Sequence, residues 1–114
     1  MIELTLKDEL EKLLELPVVF EQINEPMYVL IEKTGSSKRN QITSATFAFQ
    51  SYSRQSMYQA AELNIHIKMS VEKLEEKNKI ISASLVSDYN FTDTETKYYR
   101  YQAVYEIKYY ERID

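Results

Sequence analysis

Residues 56–77 read SMYQAAELNIHIKMSVEKLEEK, a run without proline or glycine that is rich in strong helix formers. Ser56 followed three residues later by Gln59 has the form of a capping box, so the helix is expected to start there. At 100° per residue two apolar stripes emerge. Ala60, Leu63, Ile67, Val71 and Leu74 form one, and Tyr58, Ala61, Ile65 and Met69 the other, with Asn64, Lys68 and Glu72 running between them. One stripe suffices to cover a sheet. The second must bury itself under the N-terminal helix or against another molecule, which makes it a candidate subunit interface. Asn78, with Lys77 and Lys79, suits the helix end.

On the N-terminal side of this helix, residues 42–52 alternate: Ala45, Phe47 and Phe49 fall on one parity and Ser44, Thr46 and Gln50 on the other. That is a one-sided strand with Phe47 and Phe49 toward the core. Before it, residues 34–41 (TGSSKRNQ) are polar and hold the only glycine, so a loop joining an antiparallel pair is expected there. Met27, Val29 and Ile31 alternate with Tyr28, Leu30 and Glu32 in a strand whose faces are both fairly apolar, and residues 18–22 read as a further strand. Leu6, Leu10, Leu13 and Leu14 recur at helical spacing behind a capping box formed by Thr5 and Asp8, and Pro17 stops that helix.

Beyond the main helix, Ile81, Ala83 and Leu85 alternate with Ser82 and Ser84, NFTDTETK intervenes at residues 90–97, and alternation resumes from Tyr99 to Tyr109. A long hairpin follows. Its last strand places Tyr101, Ala103, Tyr105, Ile107 and Tyr109 on one face. Arg100, Gln102, Glu106 and Lys108 lie with Val104 on the other, a face expected to be wet or paired across a subunit boundary. The element order is α-β-β-β-α-β-β, and the fold class α+β: a mostly antiparallel sheet of about five strands, with one long helix and a short N-terminal helix packed on it.

Residues 1–114 are the size of a single domain. Cysteine is absent, which removes disulfides, thiolate zinc sites and cysteine nucleophiles; the single glycine, Gly35, removes the phosphate-binding glycine motifs. No catalytic, cofactor-binding or metal-ligating residue is assigned, and no enzyme activity is expected. A net charge of −4 disfavours sequence-independent DNA binding. The acidic start does not fit an export signal and no apolar run is long enough to span a bilayer, so a soluble protein made in the cytoplasm, without a membrane partner, is expected. His66 falls on the polar arc of the main helix, where a solvated role outweighs that of a general base. Asp88, Asn90, Thr92 and Asp93 offer oxygens, but the calcium-loop glycine and the bidentate glutamate are missing, position 99 being Tyr99. Asp93 and Glu95 read as ordinary solvated loop acids. Asn90-Phe91-Thr92 matches a glycosylation acceptor only by chance.

The chain has ten tyrosines and no tryptophan. Tyr101, Tyr105 and Tyr109 are accounted for by cross-strand packing, whereas Tyr98, Tyr99 and Tyr110 lie at strand ends, where interface use is as reasonable as packing. Base stacking on the sheet is disfavoured by the acidic balance.

Taken together, VLIEKTGSS (residues 29–37), ATFAFQSYS (45–53), SMYQAAELN (56–64) and SDYNFTDTETKYYRYQAVYE (87–106) resemble the tail terminator family of long-tailed bacteriophages, also called tail completion or tail-to-head joining proteins. The resemblance extends from about Pro17 to Tyr110. It implies a structural virion protein: a hexameric ring, formed alone or only when templated, that caps the tail tube and docks to the head connector. The partners it implies are further copies of the chain, the tube protein and the connector, with no sequence-specific nucleic acid. A closed ring needs two different adhesive surfaces on each subunit. Tyr58, Ala61, Ile65, Met69, Tyr98, Tyr99 and Tyr110 are the candidate subunit contacts. The polar loops carrying Gly35, Ser36, Ser37, Lys38, Arg39 and Asn90, Phe91, Thr92, Asp93 are the candidates for meeting tube or connector. Two alternatives stand beside this one: another neck or head-completion protein, and a monomeric α+β module holding a small aromatic ligand among its tyrosines.

Overall fold

A computed structural model describes residues 1–74, 80–95 and 98–110. The expected helix end at Lys77, Asn78 and Lys79 lies outside them. The elements are α1 (Ile2–Leu14), β1 (Val18–Val19), β2 (Met27–Arg39), β3 (Ile42–Ser53), α2 (Met57–Lys73), β4 (Ile80–Asn90) and β5 (Tyr99–Tyr110). This is the α+β class and the element order read from the sequence. The five strands form one sheet ordered β1-β2-β3-β5-β4, in which only the β1–β2 pair is parallel.

The helices cover one face of the sheet. Phe47 and Phe49 point into that interface with Tyr105, Ile107 and Ala103, beneath Leu63, Ile67 and Val71 of α2 and Leu6 and Leu10 of α1. Phe49 and Tyr105 meet edge to face at 6.0 Å. On the opposite face the upper half of β3 is buried as well, because Tyr28, Leu30 and Tyr52 form a second cluster against which Val19, Ile23 and Tyr98 pack. The strand is therefore one-sided only near its start, in contrast to the expectation of one-sidedness throughout.

Three boundaries differ from the sequence reading. α1 starts at Ile2 with Met1 as its cap, and the Thr5 hydroxyl donates to the Met1 carbonyl at 3.2 Å instead of capping. Ile2 extends the buried stripe of Leu6 and Leu10 by one turn, so the helix gains contact by starting early. Its end falls where proline predicts: Glu15 adopts a left-handed φ of 56° and its N–H donates to the Glu11 carbonyl. The Glu11 carboxylate is held below its ordinary pKa mainly by the Lys7 ammonium, assisted by the Val18 N–H. The second difference is β1, which contains only two residues.

The third concerns Gly35, Ser36, Ser37, Lys38 and Arg39, which are not a loop. They continue β2, paired with β3 as far as Arg39 opposite Ile42, and the turn is only Asn40-Gln41. Both turn residues have positive φ, 53° and 67°, the geometry of a two-residue hairpin whose twist matches the strands. The stretch reads as a loop because it is polar, but strand residues exposed on both faces have no reason to be apolar. A smaller phase shift occurs in β4. A bulge between Ile80 and Ser82 buries Ile80 and turns Ile81 outward, contrary to the simple alternation.

These geometries give opposite expectations for two substitutions. A left-handed Gln41 is strained, so Gln41→Gly should raise stability by about 1 kcal/mol in urea denaturation. Gly35 does not have positive φ and has open space where a Cβ would sit, so Gly35→Ala should be neutral or slightly stabilising in the same assay.

Candidate functional site

α2 begins as its sequence dictates, with Ser56 Oγ accepting from the Gln59 N–H at 3.0 Å. All five residues of the first stripe are buried, none more than 3% exposed. On the second, Tyr58 is 76%, Ile65 53% and Met69 54% exposed, with Ala61 half-buried. α1 does not cover it. The N-terminal helix approaches α2 on the flank next to it, where Leu13, Leu14 and Leu16 face Glu62, Leu63 and His66 across a shallow cleft. His66 is an exposed residue at the lip of that cleft.

The flank of α2 nearest the second stripe is fastened to the outer strands. Lys68 Nζ lies 3.2 Å from Asp88 of β4, and the buried Tyr105 hydroxyl donates to Glu72 at 3.2 Å. Burial, and then the Glu72 charge, raise the Tyr105 pKa well above its ordinary value. Leu85 sits opposite Tyr105 in register, hence on the helix side of the sheet, and is exposed together with the neighbouring bulge residue Val86. Ile65 and Met69 of α2 and Leu85 and Val86 of β4 are thus all large apolar side chains left exposed.

The other face of the sheet carries an aromatic site. Tyr28 and Tyr52 stack with centroids 4.5 Å apart and planes 6° from parallel, and Tyr98 stands edge-on to both. The Tyr98 hydroxyl donates to the Glu25 carbonyl at 2.8 Å, and the Arg54 guanidinium lies 5.0 Å from the ring centre. With Gln22, Ile23 and Asn24 these residues line a cleft of about 510 Å³. Tyr98, expected at an interface as readily as in packing, is here committed to packing within the subunit. Burial, reinforced by Tyr52, pushes the Tyr28 pKa up to about 12.

Next to this cluster a hydrogen-bond chain crosses three strands. Arg100 donates to the Tyr52 hydroxyl, which donates to Gln50; Gln50 donates to Gln102, and Gln102 to the Tyr89 hydroxyl, over 3.0, 2.9, 2.8 and 2.6 Å. Gln50 and Gln102 are only 7% and 8% exposed. The sequence reading placed Gln102 and Arg100 on a wet or intersubunit face, and only Glu106 and Lys108 are exposed there. The signal that would have found the chain is the pair of glutamines on the same parity of two strands that prove to be neighbours. Chemically it is a positioning network of amides, phenols and a guanidinium.

The other candidates are placed as follows. Tyr99 and Tyr110 are exposed at the two ends of β5. Asn90 closes β4, and Phe91, Thr92 and Asp93 form the following turn. That turn is held by the Phe91 N–H donating to the Arg100 carbonyl and by Arg100 lying 4.4 Å over the Phe91 ring. Asn90 and Asp93 each accept from a backbone N–H two residues on, at Thr92 and Glu95. Among the described residues no group of three or more metal-capable side chains gathers, and no helix is long and apolar enough to cross a membrane. No protein-family model matches the chain, and no curated protein matches it.

The two stripes of α2 predict contrasting costs. Leu63→Ala should lose about 2–5 kcal/mol, while Met69→Glu should stay within about 0.5 kcal/mol of the parent, both by chemical denaturation. The raised Tyr28 pKa means the folded state keeps its proton more tightly than the unfolded one. Its stabilising contribution is complete below the ordinary tyrosine pKa of 10 and is lost as pH climbs toward about 12. Denaturation midpoints should accordingly fall as pH rises from 10 toward about 12, with part of the absorbance change of tyrosinate appearing only near pH 12.

Proposed function

We propose that the protein is a structural assembly protein of the tail terminator type, forming a ring that caps a phage tail tube and joins it to the head connector. The observation that carries this reading is the uncovered second stripe of α2. A monomer that holds a small ligand gains nothing from leaving Ile65 and Met69 in water on a helix whose other stripe is fully buried. A subunit that must adhere to neighbours needs such a surface. The likeness of residues 17–110 to the terminator family supplies the kind of assembly, and the hydrogen-bonded turn at residues 90–93 supplies a firmly held polar segment for meeting tube or connector. In this reading the ring belongs to the virion neck and is built in the host cytoplasm.

Deleting the gene from the phage genome that encodes it should leave separate heads and tails of irregular length in electron micrographs. Adding the purified protein back to such tails should restore joining. Normal virions after deletion would overturn the proposal, and tails of normal length that only fail to attach would assign the protein to the head side of the neck.

A further inference from the structure

The cleft beside Tyr28, Tyr52 and Tyr98 is set apart by its charge. Every ion pair among the described residues uses a lysine: Lys7, Lys12, Lys33, Lys68 and Lys108 each lie within 4.0 Å of a carboxylate. Arg54 does not. Among the described residues it is the one charged side chain lining the cleft, and neither Glu21 nor Glu25 of the adjoining segment pairs with it. Its guanidinium instead lies against the Tyr98 ring and donates to the Asn24 side-chain carbonyl. Arg100, against Tyr52, is likewise held by neutral acceptors, the Tyr52 hydroxyl and the Phe91 carbonyl. Two cations without carboxylate partners thus meet a cluster of three phenols, in a chain whose net charge is −4.

The walls of the cleft are fixed by the fold. The Tyr98 hydroxyl lies 3.3 Å and 2.8 Å from the Ile23 and Glu25 carbonyls, and the Arg54 backbone N–H donates to the Pro26 carbonyl at 3.0 Å. Residues 22–26 are therefore tied to the end of β3 and to the start of β5, and a ligand has little left to order. Half-buried Ile23 and Tyr98 supply apolar wall, and exposed Asn24 and Arg54 a polar rim. The volume of about 510 Å³ is that of a small-molecule site and far exceeds what a bare inorganic ion fills. A guanidinium carries five N–H donors in a planar fork; Asn24 takes one, and the fork matches a carboxylate in two-point fashion. One lining cation suits the single charge of a carboxylate better than the near-double charge of a phosphate monoester. Gly35, the chain's only glycine, is not in the cleft, so a glycine-rich phosphate cradle is missing as well.

We propose that this cleft binds a small aromatic carboxylate, its carboxylate against Arg54 and its ring against Ile23 and the exposed part of Tyr98. Ring-on-ring contact suits a wall of tyrosine, and the guanidinium fixes the orientation. The site does not depend on the ring reading. It lies on the sheet face that neither helix covers, and filling it leaves the second stripe of α2 exposed.

The test follows backbone amide chemical shifts of the full chain during titration with phenylacetate. Saturable changes are expected at Ile23, Asn24, Arg54 and Tyr98. Phenylacetamide, which keeps the ring but not the charge, and inorganic phosphate, which keeps a charge but not the ring, should each bind about tenfold more weakly or worse. Arg54→Gln should weaken phenylacetate by about tenfold, whereas Arg39→Gln, at the exposed far end of β2, should leave it unchanged. If Arg54→Gln lowers the melting temperature, Arg54→Lys reads the same contact, since it keeps the charge and loses the fork. The proposal is overturned by changes that do not saturate or that fall elsewhere, by phenylacetamide or phosphate binding as tightly as phenylacetate, or by an Arg54 variant that binds like the parent.

Discussion

Because side chains alternate across a strand, the twelve-residue register of β3 against β5 decides what each face of the sheet becomes. Phe47 opposite Tyr105 and Ala45 opposite Ile107 put the large apolar side chains under the helices, while Gln50 opposite Gln102 and Tyr52 opposite Arg100 put the polar chain on the other face. A slip of one residue would exchange the two sets. It would bury amides beneath α2 and expose the phenylalanines, breaking the core and the network together. The glutamine pair thus acts as a register lock: two amides that satisfy each other only in this alignment, and that would lie buried without partners in the next.

That same alternation explains how much could be read in advance. Where one face is buried and the other wet, the pattern is written in the residues. Phe47, Phe49, Tyr105 and Ile107 could be assigned to the core, and α2 could be given its cap and both of its stripes. The pattern fails where burial departs from that simple case. Residues 35–39 are exposed on both faces, so nothing in their composition distinguishes a strand from a loop. Tyr98 is half-buried and Gln102 buried by segments far away in sequence, and Ile81 is turned outward by a bulge that periodicity cannot anticipate. The candidate surface shows the same division. The second stripe was legible as a whole, whereas the exposure of Leu85 and Val86 depended on knowing that β4 lies at an edge.

The aromatic residues divide between two tasks that composition does not separate. Tyr105 and Phe49 supply apolar bulk to the main core, and the rise in the Tyr105 pKa records how thoroughly its ring is desolvated. Tyr28, Tyr52 and Tyr98 work on the opposite face, which neither α1 nor α2 covers. Their hydroxyls reach polar partners while the rings shield one another, which is how a face without a helix layer can still exclude water.

The two-residue turn at Asn40-Gln41 also bears on the order in which the molecule folds. β2 and β3 are joined so closely that their hairpin can form on the microsecond scale, as can the local turns of α2. β3 and β5 must instead find each other across sequence separations of 46 to 68 residues, and β5 has to insert between β3 and β4. Until it does, one edge of β3 stands open with Phe47 and Phe49 beside it. The slow step of folding is then the arrival of the last strand, and the interval before it is when the chain is most exposed to aggregation.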